Sequence, residues 1–184
     1  MQHHLMIFKS HFFSYRRAAA VALLTFGLAG CAWMVPREQR AQALLGGTEA
    51  DVRASQGTPA EIYRLKNGNT RWLYPTQPLG QVTYAAEFDS NGKLISFRQV
   101  LRTLEFARAE IGKWTRQDVL EQFGKPVETS YFPLMQRETW SYRFKHEDVW
   151  PSLYHFYFDP AGILRLTQVS PDPMYEPRDH PGNK

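Results

Sequence analysis

"TEADVRASQGTPAE", residues 48–61, and "TRQDVLEQFGKPVE", residues 115–128, are one pattern written twice in a chain of 184 residues. Aligned, they pair Thr48 with Thr115, Asp51 with Asp118, Val52 with Val119, Gly57 with Gly124 and Pro59 with Pro126, all at an offset of 67. The match continues beyond them. Trp72-Leu73-Tyr74 falls against Trp140-Ser141-Tyr142, and "FDSNGKL" (88–94) falls against "FDPAGIL" (158–164), so the offset grows from 67 to 68 to 70, as loop insertions make it. Three echoes in the same order imply an internal duplication, the feature that governs everything else in the fold.

Each shared position has a physical task. Thr48 and Thr115, followed three residues later by Asp51 and Asp118, form capping boxes in which a hydroxyl accepts from an orphan amide and a carboxylate reaches back, so helices start there. Gly57 and Gly124 supply a left-handed residue past the helix end, and Pro59 and Pro126 keep the chain from re-entering it. Each helix is about nine residues, short enough to need a partner surface.

After each proline the period becomes two. "EIYRLKNGNTRWLYPT" reads as strand, Asn67-Gly68 turn, strand, and "VTYAAEFDSNGKLISFRQVL" as a second hairpin turning at Ser90-Asn91-Gly92. The second copy supplies "VETSYF", "RETWSYRF", "SLYHFYFD" and "ILRLTQV" at the matching places. Ahead of each capping box lies a further helical segment, "REQRAQALLGG" and "LRTLEFARAEIG". The predicted fold is therefore α+β: two tandem helix-helix-antiparallel-sheet units, residues 37–100 and 101–169, with the helices packed on one face of the sheet. Residues 170–184 hold four prolines with no periodicity and read as a disordered tail.

The first thirty residues have the parts of an export signal: Lys9, Arg16 and Arg17, then an apolar stretch from Ala18 to Leu28, too short for a comfortable membrane span. It ends in Leu28-Ala29-Gly30-Cys31, which resembles the lipobox of bacterial lipoproteins. That resemblance implies cleavage of residues 1–30 and lipidation of Cys31, leaving residues 31–36 as a tether, and two or more acyl chains hold a protein to a membrane stably. Ala32 in place of Asp after the cysteine implies the outer membrane, on its periplasmic face.

Removing the signal changes the electrostatics. Three of the 22 basic residues leave with it, so 19 face 18 acidic ones and the net charge falls from +4 to about +1; the basic balance of the whole chain is no nucleic-acid signature. Cys31 is the only cysteine, so no disulfide supports the domain.

Together these residues resemble the SmpA/OmlA (BamE-like) family of outer-membrane lipoproteins. The family's pattern of a lipidated Cys, "G-x-T/S-x-x-x-V-x-x-x-x-G-x-P", an aromatic "W-x-Y" strand and "F-D-x-x-G" is matched by "GGTEADVRASQGTPAE", "WLY" and "FDSNG", then by "GKWTRQDVLEQFGKPVE", "WSY" and "FDPAG". Its repeat residues here are Asp51, Gly57, Pro59, Trp72 and Tyr74, and Asp118, Gly124, Pro126, Trp140 and Tyr142. The family carries one such unit. Two in tandem are similar instead to the beta-lactamase-inhibitory proteins, which bind an enzyme with an open sheet face. Both resemblances imply a non-enzymatic binding module.

No catalytic constellation stands out: there is no Gly-rich phosphate loop, no G-x-S-x-G and no HExxH, while His146, His155 and His180 are widely spaced. Asp89 and Asp159 each precede a glycine turn and read as Asx-type caps, and Lys145–Trp150 reads as a solvated loop. Tyr84, Ala86 and Phe88 match Tyr154, Phe156 and Phe158, so that face is expected to pack on helices. The opposite face differs between copies, Thr83, Ala85 and Glu87 against Leu153, His155 and Tyr157, and the last three are expected to be exposed partner-binding residues.

The function expected is that of a lipid-anchored scaffold or accessory factor in envelope or β-barrel outer-membrane protein assembly. Its partners would be the membrane, through the lipid on Cys31, and a periplasmic or outer-membrane protein, with the β-barrel assembly machinery as the candidate. No catalytic or metal-ligating residues, cofactor, nucleic acid or small-molecule substrate are expected. The alternative is a membrane-tethered inhibitor or sensor that binds a periplasmic hydrolase.

Overall fold

The computed structural model describes residues 35–175, so Cys31, the export signal and the end of the tail lie outside the described residues. Contacts divide the chain at Arg40/Ala41, and both copies of the repeat belong to the second unit. Its elements begin with α1 (Arg37–Gln42), which crosses that boundary, and α2 (Glu49–Gln56). Then follow β1 (Glu61–Arg64), β2 (Thr70–Pro75), β3 (Thr83–Phe88) and β4 (Leu94–Gln99). The second copy gives α3 (Thr103–Phe106), α4 (Arg116–Phe123), β5 (Glu128–Phe132), β6 (Arg137–His146), β7 (Trp150–Phe158) and β8 (Leu164–Pro171).

The expected α+β arrangement, with helices covering one face of a sheet, is overturned. The described residues form mostly two four-stranded antiparallel sheets, β1-β2-β3-β4 and β5-β6-β7-β8, with four short helices of four to eight residues. Two physical causes shorten the helices ahead of the capping boxes. Arg102, the N-cap of α3, makes no side-chain cap bond. The chain before each capping box is also drawn into pairing with a strand: Gly46 N donates to Leu94 O and Leu94 N to Gly47 O, just as Gly112 N donates to Leu164 O and Leu164 N to Trp114 O.

The paired motifs recur as paired geometry. In both capping boxes the threonine hydroxyl accepts from the aspartate amide while the aspartate accepts from the threonine backbone. Gly57 (φ 85°, ψ −170°) and Gly124 (φ 82°, ψ −166°) end α2 and α4 in a region of positive φ that is nearly glycine-only, more restrictive than the left-handed turn expected of them. The motif tyrosines explain why these glycines and the aromatic strands go together: Tyr74 Oη donates to Gly57 O and Tyr142 Oη to Gly124 O. Trp72 leans on Phe88 and Trp140 on Phe158, with centroids 4.7 and 5.0 Å apart. Even the register shifts match, falling at Glu87/Phe88 and Tyr157/Phe158.

Alternation along the strands assigns the two cores. One face of the first sheet buries Trp72, Tyr74, Ala86, Phe88 and Phe97 with Val52 of α2 and Ala41. Its opposite face sends Leu73 and Ala85 into a second cluster with Phe106, Val119 and Phe123 of α3 and α4, and Tyr142, Phe144, Phe156 and Phe158 of the second sheet join the same cluster. Helices α3 and α4 thus lie between the sheets, and the first sheet is covered on both faces by side chains of successive units. Beyond residue 169 the strand continues through Pro171, and Asp172 is buried beside Arg143.

Candidate functional site

The face of the first sheet that meets α4 is the best-built polar assembly in the described residues. Arg71, 8% exposed in its side chain, gives Nη2 to Glu87 Oε2 at 2.7 Å and Nη1 to Glu121 O at 3.2 Å and to Gln122 Oε1. Asn69 donates to the other Glu87 oxygen at 2.7 Å. Burial pushes the Glu87 carboxyl up, but the Arg71 and Asn69 hydrogen bonds and the Arg71 charge outweigh it and hold the group below its usual value. At the hairpin end Lys66 reaches Asp118 at 2.6 Å, and Glu61 accepts from Lys125 N at 3.1 Å. Beside this seam a cleft of about 470 Å³ is lined by Arg71, Glu87, Arg98, Arg108, Trp114 and Gln122. Arg98 and Arg108 are held by Glu105 at 3.1 and 3.2 Å.

From the sequence only Asp118, as a helix cap, and Glu87, as a position that differs between the copies, were named among these residues, and neither as part of a joint. The available signal was a mismatch within the repeat: Arg71 and Glu87 stand where the second copy has Thr139 and Tyr157. A charged pair on adjacent strands in one copy alone marks a surface that only that copy buries.

The three candidate contact residues lie on the face of the second sheet turned away from α3 and α4. Leu153 and Tyr157 are 7% and 9% exposed, so the exposure expected from simple alternation does not hold for them. They sit on β7, an inner strand, flanked by β6 and β8 side chains. His155 is half-buried in a row across the strands: Nδ1 is 2.9 Å from Ser141 Oγ and Nε2 is 2.9 Å from Ser170 Oγ. Burial lowers its pKa, with the Glu128 charge opposing, so the ring is held toward its neutral form. Tyr157 Oη donates to Gln168 at 3.0 Å, and its ring lies 6.2 Å from that of Phe132. A serine and a histidine at hydrogen-bond distance resemble half of an activated nucleophile, yet here serine hydroxyls occupy both ring nitrogens where a triad would set a carboxylate on one.

The remaining residues take structural positions. Asp89 Oδ1 accepts from Asn91 N and Lys93 N, and Asp159 Oδ1 accepts from Ile163 N. His146 packs edge-on against Phe144, 5.9 Å between ring centres, and Glu147 and Asp148 form the hairpin turn after it with positive φ. His180 and Cys31 lie outside the described residues. Among the described residues no group of three or more His, Cys, Asp or Glu is placed to hold a metal, and no helix is long and apolar enough to cross a membrane.

No protein-family model matches the chain, and no curated protein matches it. Among solved structures, the chain is similar to a DUF4309 family protein (YjgB) from Bacillus subtilis at 18% identity, covering 68% of this chain and 79% of that one, with a TM-score of 0.29. A score of that size carries neither fold detail nor function from one chain to the other.

Proposed function

We propose that the protein is an outer-membrane lipoprotein, anchored through Cys31, that acts as a scaffold or accessory factor in envelope or β-barrel protein assembly. The observation that carries this reading is the unequal use of equivalent faces. In the first copy Thr83, Ala85 and Glu87 lie on the face that receives α3 and α4, whereas their counterparts Leu153, His155 and Tyr157 lie on the face of the second sheet turned away from α3 and α4. Leu153 and Tyr157 are largely buried among their neighbours, and the accessible apolar surface of that face is supplied by Phe132 and Leu166, 44% and 41% exposed. Apolar and aromatic side chains rimmed by polar ones are the composition of protein-contact surfaces. The lipid would hold this surface close to membrane-bound partners.

The test is a native pull-down of the lipidated protein from mildly solubilised envelopes, with a Cys31→Ala control. Recovery of barrel-assembly subunits that disappears in the control supports the scaffold. Recovery of a soluble hydrolase, retained in the control, replaces it with a tethered inhibitor.

A further inference from the structure

The hairpin joining β5 and β6 has the sequence Tyr131-Phe132-Pro133-Leu134-Met135-Gln136-Arg137. Its apolar side chains point into solvent: Tyr131 is 60% exposed, Phe132 44%, Met135 48% and Leu134 wholly so. The turn is built and not frayed, because Met135 N donates to Phe132 O and Gln136 N to Pro133 O, both at 3.2 Å. Its backbone needs are met without a partner while its side chains are not.

The repeat shows that the fold does not demand this. The equivalent hairpin of the first copy ends in Leu65-Lys66-Asn67-Gly68-Asn69, a polar turn tied down by the Lys66–Asp118 pair. An exposed apolar tip in the second copy alone is therefore a feature with its own purpose.

We infer that the Phe132–Met135 tip is a bilayer contact, dipping into the interfacial region of the membrane to which the chain is anchored; the inference rests on the lipoprotein reading above. Three observations favour lipid over a protein occupant. Leu134 stands wholly in solvent, and the apolar side chains of the tip carry no directional hydrogen-bonding group, which suits a deformable apolar medium. Tyr131 and Arg137 flank it, and amphipathic aromatic and basic side chains are those that settle at headgroup level. Arg137 is the only charge in residues 131–137, and the nearby carboxylates are neutralised, Glu138 by Arg116 at 2.6 Å and Asp159 by Arg165 at 2.7 Å. By contrast, the exposed Val149 and Trp150 at the far end of β6 adjoin Glu147, whose charge an anionic membrane repels, and Asp148, which Arg102 pairs at 3.4 Å. A tip of this size reaches ~5–10 Å into the headgroup and acyl boundary and adds a second attachment to the lipid.

The test uses the full chain in vesicles of phosphatidylethanolamine and phosphatidylglycerol, with an environment-sensitive fluorophore on a thiol introduced by Leu134→Cys or, as internal control, Asn67→Cys. The experiment is run on the native chain and on a Cys31→Ser background. Blue-shifted emission at position 134 that is quenched by brominated acyl chains, with aqueous emission at position 67, supports the contact, and adding Met135→Asp should abolish the shift. Aqueous emission at both positions overturns it. So does emission that shifts only when envelope proteins are added, which makes the occupant a protein. A free thiol at Cys31 in the unsubstituted chain overturns the anchor alone, and the Cys31→Ser series then still decides the tip.

Discussion

Arg71 of β2 and Glu87 of β3 meet at 2.7 Å beneath α4, with side chains 8% and 13% exposed, and this pair joins the first sheet to the helix that follows it. Taking one partner away leaves the other charge buried without compensation, which costs about 3–5 kcal/mol. Arg71→Met is expected to fall in that range by urea denaturation, because it also removes the donor to Glu121 O. The double variant Arg71→Met/Glu87→Leu is expected to recover much of the loss. Equal costs for the single and double variants would count against the pair as the source of the effect.

The twin glycines separate backbone strain from packing. A Cβ at Gly57 would meet nothing within 4 Å, whereas one at Gly124 would meet Glu61 Oε1 and Leu73 Cδ1, each at 3.0 Å. Both positions hold a conformation that costs an L-residue about 1–3 kcal/mol. Gly57→Ala should show only that cost. Gly124→Ala should lose more, because the ends of the Glu61 and Leu73 side chains must also give way beside α4, and thermal or urea midpoints of the two variants decide the order.

Much of this arrangement was legible in local chemistry. The capping boxes, the hairpin turns and the Asx caps of Asp89 and Asp159 depend on residues within a few positions of one another, and their signals read true. What sequence reasoning missed depends on long-range contacts. The helices at Arg37–Gln42 and Thr103–Phe106 are short because Gly46 and Gly112 pair with strands about fifty residues further on, and nothing near those helices reveals it. The placement of α4 between two sheets was written in Phe123, where the first copy has Gln56: an aromatic at that turn has two sheets to fill. His155 looked like an isolated histidine because Ser141 and Ser170 reach it only across strands.

His155 gives a pH dependence with a definite sign. Its folded pKa lies below the usual 6.5, so the folded state favours the neutral ring. The stability it contributes is present above the unfolded value and is lost as pH falls from about 6.5 through the lowered folded one. The urea midpoint is therefore expected to drop between pH 7 and pH 5. His155→Gln, which keeps hydrogen-bonding capacity without titrating there, should flatten that segment of the curve, while an unchanged slope would assign the dependence to other groups.

Phe123 tests whether the two copies unfold as one body. It is 1% exposed, sits 5.4 Å from Phe156 and 4.8 Å from Phe106, and shares its cluster with Leu73 and Ala85 of the other sheet. Phe123→Ala removes a ring from the centre of that cluster, at about 3–5 kcal/mol. Because the lost contacts belong to both units, amide hydrogen exchange should accelerate in β2 and β3 as well as in β6 and β7. In a stack whose stability depends on nearest-neighbour interfaces, weakening the interface alone would split unfolding into two steps. A single wild-type transition that becomes biphasic in the variant would place the coupling between copies at this ring, whereas protection lost only in the second sheet would show that the first sheet stands without it.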